Sequence, residues 1–133
     1  MGRCVLDTSV MIALERQHLT QPEVFQRDDE VFIPALAIAE FLVGMHRSTH
    51  SKHRERMRVT LDAIERFGTL VEFGDRQAKS FAILKAEALS SGIGRTDFDL
   101  AMAAHAVVED AILVTRDKNA RLSELTGVVT REV

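Results

Sequence analysis

Short runs of branched apolar residues alternate with longer stretches of helical periodicity along the whole of this 133-residue chain, and that alternation restricts the folds open to it. The runs lie at 4–6, 31–33, 70–73, 112–114 and 128–129 and read as strands. Val10, Met11 and Leu14 then form one helical stripe; Leu36, Glu40, Val43 and Gly44 form the next, after Pro34, which suits a first helical turn. Met57, Leu61 and Ile64 mark a third helix, and Ala78, Phe81, Ala82 and Leu89 a fourth. Residues 97–108 are almost entirely small or apolar, the composition of a helix buried on every side. Strands joined through helices require right-handed crossovers, so the expected class is α/β, a parallel sheet covered on both faces.

With no linker, repeat or low-complexity tract, residues 1–133 read as one domain. The single cysteine, Cys4, lies in an apolar run, which excludes a disulfide framework and suggests a small buried side chain in a reducing compartment. No apolar stretch approaches the roughly 20 residues that span a bilayer, so a cytoplasmic protein without membrane contact is expected.

In an open parallel sheet, ligands bind beyond the carboxyl ends of the strands. Asp7 follows the first strand in Leu6-Asp7-Thr8-Ser9, and Asp117 follows the fourth in Val114-Thr115-Arg116-Asp117. Either acid taken alone fits an ordinary helix cap or Asx turn. Glu40 falls on the stripe expected to face the core, where an ionised acid needs a partner or a metal. Asp99 begins the fifth helix, at a spacing from Thr96 that also suits a capping box. Four acids from separate elements, without His or Cys among them, describe an oxygen site for Mg²⁺, with Mn²⁺ as the alternative. Such an ion lowers the pKa of bound water and stabilises charge during displacement at phosphorus. Thr8, Ser9 and Thr115 are placed to orient the acids or meet phosphate oxygen, helix capping being the competing reading. Arg95 and Arg116 flank the acids, and His105 reads as a packed core residue.

These four segments, together with the run Ala103-Ala104-His105-Ala106, resemble in order the motifs of the PIN domain and, at this length, VapC toxins of type II toxin–antitoxin pairs. The resemblance implies an α/β/α sandwich with a central, mainly parallel sheet of about five strands. It also implies a metal-dependent endoribonuclease acting on RNA, held by a VapB-like antitoxin and forming a homodimer. Asp7, Glu40 and Asp99 match the three core metal-site acids of the family, and Asp117 the more variable fourth. Asp97 offers a competing register for the third acid; the 18-residue step from Asp99 to Asp117 favours Asp99 and leaves Asp97 as an outer or helix-start charge. The alternative is a PIN-like module that binds RNA or protein without catalysis.

Charge is unevenly distributed. Residues 46–58 carry Arg47, Lys52, Arg54, Arg56 and Arg58 against Glu55, a net +4 that leaves −7 on the rest of a chain totalling −3. That is the footprint of an RNA-binding segment or of a solvated helix corner. Receiver-type paired acids, an Asp-x-Asp phosphatase motif and a phosphate-binding G-x-x-x-x-G-K-[ST] loop are all missing.

Overall fold

Four of the five branched runs become strands where expected. The computed structural model describes residues 1–133, with β1 (Arg3–Leu6), β2 (Glu30–Pro34), β3 (Thr69–Val71), β4 (Ile112–Thr115) and β5 (Thr130–Glu132). The last strand lies just beyond the expected 128–129, where Val128 is buried and Val129 is exposed in the approach to it. All neighbours pair in parallel in the order β3-β2-β1-β4-β5, with Val5 opposite both Phe32 and Leu113. Strand order therefore runs outward from β1 to β3 and then restarts on the other side at β4. The gap between the carboxyl ends of β1 and β4 is the switch point at which such sheets bind ligands.

Six helices connect the strands: α1 (Thr8–Glu15), α2 (Gln21–Val24), α3 (Ala35–Arg47), α4 (Ser51–Phe67), α5 (Asp75–Ser91) and α6 (Asp97–Val108). α1, α3 and α4 pack together, and α5 pairs with α6. Right-handed crossovers running in opposite directions from β1 place these two groups on opposite faces of the sheet. α6 is buried continuously from Leu100 to Ala106, as its composition required. α5 ends at Gly92, whose φ of 73° is a left-handed cap suited to glycine. No helix is long and apolar enough to cross a membrane.

Two helix faces differ from expectation. On α3 the buried residues are Ala37 and Phe41, while Val43 is exposed, so Glu40 lies at the margin of the core-facing stripe. On α5 the buried face is Gln77, Leu84 and Ala88, and Leu89 is exposed. Both helices carry apolar residues around more than half their circumference, which blurs the phase of the pattern. Cys4 is buried as expected, and burial pushes its thiol up to about 11.

Candidate active site

Asp7 occupies the N-cap position of α1 in an extended conformation, yet its side chain makes no capping bond. Its Oδ2 instead accepts hydrogen bonds from Ser9 Oγ at 2.6 Å and Thr115 Oγ1 at 2.9 Å. Both hydroxyls are fixed in turn, because Ser9 Oγ accepts from the Arg116 N–H and Thr115 Oγ1 from the Asp117 N–H, each at 3.0 Å. Asp7, only 8% exposed, is thus held by hydroxyls from α1 and from the end of β4.

Glu40 is half-buried on α3, and its Oε1 accepts from Thr8 Oγ1 at 2.8 Å. Burial is the main cause holding its carboxyl above the usual range; the Thr8 hydrogen bond opposes this, and the charges of Asp7 and Asp99 add to it. Asp99 is shifted in the same direction, chiefly by burial, against its hydrogen bonds with Thr96, and further by Asp117 and Asp7. The capping box is real: Asp99 Oδ2 accepts from the Thr96 N–H, and the Asp99 N–H donates to Thr96 Oγ1, both at 3.1 Å. Asp117 forms the expected turn, its Oδ1 accepting from the N–H groups of Asn119 at 2.9 Å and Ala120 at 3.2 Å.

One pattern runs through all four acids. Each commits one oxygen to the protein and leaves the other, Asp7 Oδ1, Glu40 Oε2, Asp99 Oδ1 and Asp117 Oδ2, without a protein partner. None of the four forms a salt bridge. They lie within electrostatic reach of one another, but no three His, Cys, Asp or Glu side chains are close enough to form a ready-made metal cage. The donor set, all oxygen and uncompensated, fits a hard divalent cation.

Other candidates fall elsewhere. Asp97 is exposed and paired with Lys85 Nζ at 2.9 Å, whereas Asp99 is the one within electrostatic reach of Asp7, Glu40 and Asp117. Arg95 is not free for phosphate: it donates to the carbonyls of Ala120 at 2.6 Å and Arg121 at 3.0 Å and to Ser91 Oγ at 3.1 Å, a clamp on the loop after Asp117. No sequence pattern marks it, because its partners are mostly backbone atoms. His105 is fully buried, edge-on to Phe73 at 5.8 Å, with both ring nitrogens unpartnered; burial pushes it down to about 4. Of the basic segment, Arg58 bridges Glu55 and Asp62, and Arg54 donates to the Ser48 carbonyl at 2.8 Å. Arg56 faces the buried Glu15, while Arg47 and Lys52 are exposed and form no salt bridge.

A family model described as PIN domain matches residues 4–126. Ribonuclease VapC of Rickettsia bellii is 25% identical over 111 residues, which cover 84% of this chain and 82% of the relative. Among solved structures, VapBC-5 of Mycobacterium tuberculosis, a member of the VapBC family of toxin–antitoxin systems, is 26% identical over the full length of both chains, with a TM-score of 0.81. VapBC2 of Rickettsia felis, bound to a promoter DNA fragment, shares the fold with a TM-score of 0.85 at 19% identity, covering 98% of each chain.

Proposed function

We propose that this chain, which belongs to the PIN domain family, is a divalent-metal-dependent endoribonuclease and the toxin of a VapBC-type toxin–antitoxin pair. The observation that carries this reading is that Asp7, Glu40, Asp99 and Asp117 are each anchored through one oxygen while the other is left free, with no cationic side chain to neutralise them. These four would hold Mg²⁺ or Mn²⁺. When bound, the ion supplies charge neutralisation, an activated water and stabilisation of the leaving oxygen.

The remaining work belongs to the chain. Ser9 and Thr115 fix the orientation of Asp7, and Thr8 fixes that of Glu40. Glu40, whose carboxyl burial holds above the usual carboxylate range, would accept the proton of the attacking water. The new P–O bond forms as the bond to the leaving ribose oxygen breaks, and that oxygen takes a proton from solvent. Arg47, Lys52, Arg54 and Arg56 draw the RNA backbone to the α3–α4 corner; Arg58, bridging two acids, contributes least. Names of the relatives support a VapB-like antitoxin as partner. Exposed Ile83 and Leu89 on α5, and an apolar groove lined by Leu36, Phe73, Phe81 and Phe98, offer surface for that antitoxin and for a second copy of the chain.

The test is RNA cleavage by wild type and Asp7→Asn in Mg²⁺, Mn²⁺ or chelator. Cleavage by wild type only, and only with metal, supports the proposal. Undiminished cleavage in chelator refutes it.

A further inference from the structure

Glu15 is a carboxylate that the acid pocket does not use. Its side chain is 3% exposed at the carboxyl end of α1, where the helix dipole disfavours negative charge. Two groups of α4 face it, Arg56 Nε at 3.5 Å and His53 Nε2 at 3.7 Å. Those three residues, with Arg16 and Gln17, line a cavity of about 370 Å³ that no hydrophobic residue enters. Arg56 turns only its Nε towards Glu15, and neither of its Nη groups has a protein partner. Arg16 is exposed and forms no salt bridge. His53 is also shared with a second polar hollow that reaches Arg47.

We propose that this cavity is a phosphate-binding subsite for the RNA strand, set apart from the acid pocket along α1; the proposal rests on the nuclease reading above. Ser9, in the acid pocket, and Arg16, at the cavity, are seven residues apart and so lie on one face of the helix. Asp7 and Glu15 are separated by about 12 Å of helix axis. That separation is short enough for one RNA strand, with a phosphate on every nucleotide, to reach both places. The planar forks of Arg16 and Arg56 suit phosphate oxygens. A protein partner is disfavoured because interface cores are apolar and aromatic, which this lining is not. Glu15 then acts as a positioning residue that holds Arg56 and His53 at the cavity wall.

The experiment measures binding of a labelled single-stranded RNA oligonucleotide to the full chain in chelator, across a salt series, for wild type, Arg16→Ala, Arg56→Ala and Arg27→Ala. Arg27 is exposed, lines neither polar hollow and is the charge-matched control. Losing one phosphate contact lowers the slope of log K against log salt by about 0.7, which is the change expected for Arg16→Ala and Arg56→Ala, with Arg27→Ala at the wild-type slope. Arg56→Ala exposes Glu15 as an unpaired buried charge and risks unfolding, so the exposed Arg16 site decides if that variant melts early. A wild-type slope in Arg16→Ala overturns the subsite, including the case in which that variant loses affinity for a protein instead. The nuclease reading fails separately: wild type that cleaves no RNA with Mn²⁺ removes that reading, while a slope change in chelator still supports the cavity.

Discussion

Thr8 and Glu40 are joined by a 2.8 Å hydrogen bond across 32 residues of sequence, and it fastens the start of α1 to α3 at the carboxyl edge of the sheet. Thr8→Val keeps the side-chain shape and removes the donor. Glu40 then keeps its burial and the repulsion of Asp7 and Asp99 but loses the one bond that favours its ionised form. We expect Mn²⁺ affinity and RNA cleavage to fall about 10- to 100-fold, with a loss of roughly 1 kcal/mol in stability. Parallel Mn²⁺ titration, cleavage rates and urea unfolding check this.

Asp7→Asn removes one of four like charges while preserving an oxygen that accepts from Ser9 and Thr115. Cleavage should be lost. In chelator the melting temperature should stay level or rise, because repulsion within the metal-free pocket is relieved. A clear drop in melting temperature would mean that the Asp7 charge supports the fold instead.

His105 gives a pH signature. Its folded value of about 4 lies below the unfolded 6.5, so the unfolded chain binds the extra proton first. Stability from this residue is complete above 6.5 and is lost as pH falls towards 4, by about 3 kcal/mol. Glu40 and Asp99 are shifted upward and act in the opposite sense, favouring the fold as they protonate. The comparison is therefore wild type against His105→Leu, unfolded in urea at pH 7 and pH 4. The variant should lose less stability on acidification.

Arg95→Ala should act on the site from a distance. Arg95 holds the carbonyls of Ala120 and Arg121, and Ala120 in turn donates to Asp117. Removing the guanidinium leaves those carbonyls without this donor, at a cost of about 1–3 kcal/mol. Hydrogen exchange should quicken through the loop after β4 and cleavage should weaken, whereas Arg27→Ala should change neither.

Much of this arrangement is legible in the chain. Asp7 and Asp117 could be placed because each follows a short branched run, and a strand's end is a sharp local signal. The face of α3 was harder to read: Val43 looks like a core residue in sequence but is exposed, since Leu36, Ile38 and Leu42 crowd the same helix and several phases fit almost equally well. Glu40 nevertheless comes within electrostatic reach of Asp7 and Asp99, because the margin of a buried stripe is where a carboxylate can be partly sheltered and still open. The clamp made by Arg95 and the Glu15–Arg56 pair leave no mark in the sequence, as each depends on partners brought together only by the fold. Asp99 fits both readings at once, capping α6 with Oδ2 and leaving Oδ1 without a protein partner.

Four singly anchored carboxylates are proposed to form one divalent-cation site. Calorimetric titration of Mn²⁺ into wild type, Asp7→Asn and Asp99→Asn tests it most directly. Wild type should bind saturably, and either variant should bind at least about tenfold more weakly. Wild type that binds no Mn²⁺, or variants that bind it as tightly as wild type does, would contradict it.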